Sequence, residues 1–535
     1  MLAALGGSGL LRTTAWGQPA TEASAQRFVE AQTVFGRVRG VDNGGIKSFK
    51  GISYGASTAG RNRFMPPRDP GAWTGVRDAR EYGPSAPQRE PGVQAAPGQL
   101  SVASAGLPRE SEDCLVLNVW TPGVADGGKR PVMVWCHGGG FSGGSGSAPG
   151  TDGTNLAKRG DVVVVSVNHR LNVLGFTYLG DLGGDPELAS SGGAGMLDIV
   201  HALKWVRANI AELGGDPSNV TVFGQSGGGR KVAALLAMPS AKGLFHRAII
   251  ESGATIKLVE REQGMRVARE LATSLGLSAP SSSDLQAVPL DRLMRAYFET
   301  VRRMNVDQMT MGFSPVVDGE GVASHPFHPT ASSVSADVPL IVGSTRTELT
   351  SQTDSAAFSL DEAAMKARIT ELVGAASSEI IEIYRKASPG ATPSDLYFLI
   401  ASDHRYTAPV MKIAERRAAL GEGPVYLYYF RWESPYEGGR YKSPHTIEIP
   451  FVFDNVASSP LTADAPDAPM LAEKVSDAWI AFARTGDPNT PVLPHWPAFD
   501  ARKRQTMVLD NASTVVDDPI REQRIAMFEA LDLTS

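Results

Sequence analysis

The chain has 535 residues, 42% of them hydrophobic and 20% charged, with a formal net charge of −6. That composition supports a sizeable buried core, and the acidic balance argues against nucleic acid or an anionic membrane surface as partner. Lysine and arginine form no long run, the densest cluster being Arg502-Lys503-Arg504, and no stretch is long and apolar enough to span a bilayer as a helix.

Residues 1–20 are a short apolar run ending in small residues, with a cleavage-like Ala15-Trp16-Gly17 but no basic segment before it. Residues 1–25 therefore read as a signal-peptide remnant or a disordered tail, with export (periplasmic or secreted) slightly ahead of a cytoplasmic location. Residues 26–535 read as one domain. From residue 34 onward, β-branched runs alternate with helical patterns, which predicts a central, mostly parallel sheet flanked by helices. No internal repeat of 20–50 residues interrupts that alternation.

Residues 91–107 are rich in Gly, Pro, Ala and Ser and read as a loop. Buried strands are predicted at 131–136, 161–167 and 220–223. Between the last two, Met196, Val200, Leu203, Val206 and Ile210 recur at helical spacing, with Gly214-Gly215 as a stop. Residues 255–335 and 355–420 are more helical and polar and read as insertions carried above the sheet. Sheet character resumes at 425–432, and a final helix is predicted near 470–484, ending at Gly486-Asp487-Pro488. The two cysteines, Cys114 and Cys136, lie in apolar strand-like runs, which favours buried free thiols over a disulfide.

The sharpest local signal is Gly224-Gln225-Ser226-Gly227-Gly228, placed between the strand at 220–223 and a helical stretch at 231–238. A turn that tight needs glycine on both sides, and it lifts Ser226 above the sheet beside a helix N-terminus that favours negative charge. A glycine-rich turn with an incidental serine is the alternative, but the strand-to-helix setting favours a nucleophile.

Upstream, the strand at 131–136 ends in His137-Gly138-Gly139-Gly140-Phe141. Attack on an ester carbonyl places negative charge on oxygen, and the N–H groups of Gly139, Gly140 and Gly227 suit its stabilisation. A phosphate-cradling loop would need Gly-Lys-Ser/Thr, which is absent.

With these motifs, the sequence resembles the type-B carboxylesterase and cholinesterase family of α/β-hydrolases across about residues 34–509. The ordered matches include Ser111-Glu112-Asp113-Cys114-Leu115, Asn168-His169-Arg170-Leu171, Gly214-Gly215-Asp216-Pro217 and Arg484-Thr485-Gly486-Asp487-Pro488. The resemblance implies an α/β-hydrolase fold and a triad in the order serine, acid, histidine. Its acid corresponds to Glu348, which follows Leu340-Ile341-Val342-Gly343, with Asp318 in Val317-Asp318-Gly319 as the rival. Its base corresponds to His445, in Pro444-His445-Thr446-Ile447-Glu448. Ser252 and Glu448 match positions that hold the histidine or a nearby water, with a purely structural role equally open.

Of the other histidines, His137 belongs to the glycine turn, His201 to the amphipathic helix, and His169 and His246 to framework segments of the family. His404 and His495 read as ordinary polar positions. His325 and His328 have a metal-like spacing, but Pro326 and the lack of a Cys, Asp or Glu cluster disfavour a metal there.

Three departures from the family stand out. Gln225 replaces the usual glutamate, removing a charge that helps cholinesterases favour cationic substrates. Gly227 replaces the usual alanine and is expected to loosen the third N–H donor. Ala86 stands where the partner of Cys114 would be, so that loop carries no disulfide. The resulting expectation is a carboxylesterase acting on a small-molecule ester through an acyl-enzyme, without cofactor or metal. The alternatives are an amidase or carbamate hydrolase using the same triad, or a non-catalytic binding protein on this fold.

Overall fold

The computed structural model describes residues 27–92, 108–183, 185–278, 280–305 and 312–534. The segment read as a signal remnant or tail, and most of the loop expected at 91–107, lie outside the described residues. In chain order the strands are β1 (Arg27–Thr33), β2 (Gly36–Asn43), β3 (Ile46–Ser53), β4 (Val76–Asp78), β5 (Val116–Thr121), β6 (Arg130–Cys136), β7 (Val163–Val167) and β8 (Gly215–Gln225). They continue with β9 (Arg247–Glu251), β10 (Val259–Glu260), β11 (Val316–Val317), β12 (Leu340–Thr345), β13 (Val425–Phe430), β14 (Gln505–Leu509) and β15 (Thr514–Asp517).

One sheet runs in the order β1-β2-β3-β5-β7-β6-β8-β9-β12-β13-β14-β15, with β4 beside β2, while β10 and β11 pair separately. Every pair from β7 across to β14 is parallel. The margins β1-β2-β3-β5-β7 and β14-β15 are antiparallel. Parallel strands need both faces covered, so they read as unbroken apolar runs, and the side-chain period of two sorts each run between two cores. Val132, Val134 and Cys136 of β6 face one core, and Met133 and Trp135 face the other. The same alternation divides Val220 and Val222 from Phe223 on β8, and Leu340 and Val342 from Ile341 on β12.

The helix Ala194–Asn209 covers the first face, with Met196, Val200, Leu203 and Val206 buried in that core. The helix Ala468–Thr485 covers the second and stops at Gly486, which takes the left-handed conformation (φ 85°) that favours glycine. It is not the last helix, as the sequence suggests, because Arg521–Ala530 follows and buries Met527 and Phe528. The strand expected at 161–167 starts at Val163, since Asp161 caps the preceding helix Thr154–Gly160 in the left-handed region. Within the stretch read as insertions, the helix Ala408–Ala418 buries Val410, Ile413 and Ala414 in the same core as the sheet residues Val425 and Leu427.

Cys114 and Cys136 are buried and free. Where the family disulfide would sit, the backbone closes the loop instead. Ser85 N–H donates to the Arg109 carbonyl at 3.1 Å and Ser111 N–H to the Ser85 carbonyl at 2.9 Å. The buried Arg170 grips Asp198 twice, at 2.8 and 2.6 Å, and donates to the Met65 carbonyl at 2.7 Å.

Candidate active site

Because β6, β8, β9, β12 and β13 run parallel, their carboxyl ends open on one side, and there the chain turns carry Ser226, Ser252, Glu348 and the glycine turn. Ser226 follows β8 directly and precedes the helix Gly227–Leu235, with φ 57° and ψ −119°, a conformation costly for any residue but glycine. Its N–H donates to the Glu251 carbonyl at 2.8 Å, which ties the turn to β9. The flanking glycines are required: a Cβ at Gly228 would lie 1.9 Å from the Cys136 carbonyl oxygen, and one at Gly224 would lie 2.6 Å from it. This helix starts four residues before the stretch that looks helical in sequence, because three leading glycines are poor helix formers.

His445 and Glu348, 97 residues apart, meet at 2.5 Å between Nδ1 and Oε2. Glu348 is fully buried, and its other oxygen accepts from Ser252 Oγ at 2.6 Å and Thr345 N–H at 2.8 Å. The backbone closes the same pair, with His445 N–H donating to the Glu348 carbonyl at 3.2 Å. With Nδ1–H donated to the carboxylate, the Nε2 lone pair of His445 is left for the site. No hydrogen bond joins Ser226 Oγ to His445 among the described residues. Gln225 Nε2 instead lies 3.4 Å from both ring nitrogens. The Tyr406 ring packs on the imidazole at 4.9 Å, carried there by a π-helical turn, Asp403–Thr407, and its hydroxyl donates to Gln352 Oε1 at 3.0 Å.

Ser252 Oγ also lies 3.2 Å from Glu448 Oε1. Burial, then the nearby Glu348 and Glu251 carboxylates, hold the Glu448 carboxyl well above the usual range. Ser252 Oγ therefore stands between the Glu448 and Glu348 carboxyls, and its hydrogen bonds link Glu448 to the acid that meets His445. Burial likewise pushes Glu251 up to about 7, opposed by the Trp479 Nε1–H bond of 2.7 Å to it. Asp318 is elsewhere: its carboxylate accepts from the N–H groups of Glu320, Gly321 and Val322 at 2.8–3.0 Å, and it shapes a turn.

Gly139 and Gly140 adopt φ 87° and 61°, and among the described residues the N–H groups of Gly139, Gly140 and Gly227 have no acceptor in the protein. The turn is braced by Gln88, whose Oε1 accepts from Gly144 N–H at 2.7 Å. Gly227 lets the turn press close, since a Cβ there would stand 2.3 Å from the Gly140 carbonyl oxygen.

Among the described residues no group of three His, Cys, Asp or Glu side chains is placed to hold a metal ion. Both nitrogens of His325 are engaged, Nδ1 accepting from Leu258 N–H at 3.2 Å and Nε2 lying 2.8 Å from Glu260. No helix is long and apolar enough to cross a membrane among the described residues. Sequence reasoning does not find Tyr406, nor Lys231, a fully buried lysine on the helix after Ser226. Tyr406 carries no motif, whereas a cation beside the glycine-rich elbow is a visible oddity of the sequence.

The model of the carboxylesterase family matches residues 25–528. The para-nitrobenzyl esterase of Bacillus subtilis is 36% identical over 93% of this chain and 98% of its own length. The phenmedipham hydrolase of Pseudarthrobacter oxydans is 34% identical, with the same shares covered. Among solved structures, a carboxylesterase of Geobacillus stearothermophilus superposes with a TM-score of 0.80 at 37% identity, covering 93% of this chain and 99% of that one. The family match spans every strand that ends at this site, and the chain belongs to the carboxylesterase family, hydrolysing carboxylic esters on an α/β-hydrolase fold.

Proposed function

We propose that Ser226, His445 and Glu348 carry out this hydrolysis through an acyl-enzyme, with Gly139, Gly140 and Gly227 holding the oxyanion. The observation that carries the reading is the His445–Glu348 bond of 2.5 Å, formed beside a serine held at φ 57°. Ser226 Oγ attacks the ester carbonyl while its proton passes to His445 Nε2. Glu348 keeps the tautomer and balances the imidazolium, and three open N–H groups meet the negative oxygen. The imidazolium then returns the proton to the leaving alcohol. Water, deprotonated by the same nitrogen, releases the acid and restores Ser226.

Gln225 lies against the imidazole at equal distance from both nitrogens, a neutral neighbour of the proposed base. Ser252 and Glu448 act behind the acid, fixing which oxygen of Glu348 faces His445. The substrate is a small ester. A neutral amide beside the base, in place of a carboxylate, suits uncharged alcohol groups better than quaternary ammonium ones.

Ser226→Ala tests the reading. Turnover of a p-nitrophenyl ester is expected to fall by on the order of 10⁴-fold with the melting temperature held, and a fluorophosphonate is expected to label Ser226 alone. Retained turnover, or labelling at another serine, would overturn it. Paired ester and amide analogues of one acyl group measure the ester preference directly.

A further inference from the structure

Lys231 lies five residues after Ser226 on the helix Gly227–Leu235 and is fully buried. Its ammonium donates to the His137 carbonyl at 2.8 Å and lies 5.8 Å from the centre of the Phe141 ring. These are the two residues that bracket Gly138, Gly139 and Gly140. Among the described residues this is its one hydrogen bond, and it has no ion pair. The groups facing it are the Cys136 thiol, the Arg230 guanidinium, and the stacked imidazoles of His137 and His169, whose rings lie 4.9 Å apart.

A buried cation without a carboxylate is costly, and an apolar side chain of similar volume would fill the same space at less cost. Burial, then Arg230, drive the lysine down to about 7, and burial with its charge drives both imidazoles far below their usual range, so neither histidine competes for protons. The ammonium adds little to the packing of the helix. What it adds is a bond between the helix that carries Ser226 and the carbonyl at the entrance of the glycine turn.

We propose that Lys231 is a positioning residue of the oxyanion hole, pinning the His137 carbonyl so that the N–H groups of Gly139 and Gly140 stay aimed above Ser226. The inference rests on the assignment of that turn as the oxyanion site. Donors fixed before the reaction need no rearrangement as charge develops, and a turn built of glycines has no side chains of its own to hold its dihedrals. Lys231 would act through the turn without touching substrate, so its removal weakens binding of the transition state and leaves ground-state binding nearly intact.

Lys231→Met and Lys231→Gln test this with p-nitrophenyl acetate. In Lys231→Met, kcat is expected to fall tenfold or more with KM within about twofold and melting temperature unchanged or raised. Inhibition by a trifluoromethyl ketone, whose adduct places an oxyanion in the hole, is expected to weaken by the same factor. Lys231→Gln, which keeps a donor, is expected to fall between the two. A kcat within twofold of wild type in both variants would overturn the proposal. So would a loss of kcat that tracks a lowered melting temperature, or failure of both variants to fold, since either makes Lys231 a folding requirement. Fluorophosphonate labelling of Ser226 in the wild-type protein separates these outcomes from failure of the triad assignment itself.

Discussion

Gln225 sets the charge that meets His445, the proposed base. Its amide nitrogen lies 3.4 Å from both imidazole nitrogens, where a carboxylate would be an opposite charge in contact with the protonated ring. Gln225→Glu favours the imidazolium, so the acid limb of the pH–rate profile is expected to move up by about one pH unit. The same change is expected to raise kcat/KM for a choline ester relative to a neutral ester of equal size. An unmoved limb, measured from pH 5 to 9, would show that the side chain turns away in the working enzyme. Ser226 was legible in the sequence because its flanking glycines are a steric necessity of one turn. Glu348 and His445 were not legible from chemistry alone, being one glutamate after one strand and one histidine among nine, and they emerged only from the resemblance. The contact of Gln225 with His445 spans 220 residues and follows from the segment after β13 reaching back to the end of β8, with β9 and β12 lying between those strands in the sheet.

At the scale of elements, the parallel strands were readable because burial on both faces leaves them apolar throughout, while boundaries set by caps and glycines were not. The elbow helix hides behind three glycines, and the π-helical turn that brings Tyr406 to His445 has no local signature. The end of β9 carries its own cost. Glu251 is buried there with one donor, Trp479, and its carboxyl is pushed up from 4.5 to about 7. Because the folded value is the higher one, the native state holds its proton more tightly. The associated stability is full below about pH 4.5 and is lost as pH rises through about 7. Glu251→Gln keeps the acceptor for Trp479 and removes the titration. Its melting temperature is expected to match wild type near pH 4.5 and exceed it by about 2 °C or more at pH 8. Parallel curves across that range would refute the buried, neutral carboxyl.

Across the whole molecule, the proposed catalytic edge is built by segments far apart in sequence, and buried ion pairs tie those segments together. Arg170 leaves the end of β7, grips Asp198 on the helix Ala194–Asn209, and reaches the Met65 carbonyl near the amino-terminal strands. Arg63 does the same with Glu112, at 2.7 and 2.9 Å, beside the entrance to β5. Asp198→Ala would strand the buried guanidinium, and it is expected to cost about 3–5 kcal/mol, seen as an earlier urea midpoint with unchanged slope. A shift equal to that of an exposed pair such as Arg385–Glu362 would mean that water reaches Arg170.

The loop that leaves Ala86 and returns before Cys114 has a wider consequence. Gln88, at its start, holds the glycine turn through Gly144, and the loop's two ends are joined by backbone hydrogen bonds with no covalent bridge. The brace of the glycine turn is therefore indifferent to thiol–disulfide exchange. Holding that turn in shape therefore calls for no disulfide to be made or kept, and the two cysteines of the chain are left as buried thiols.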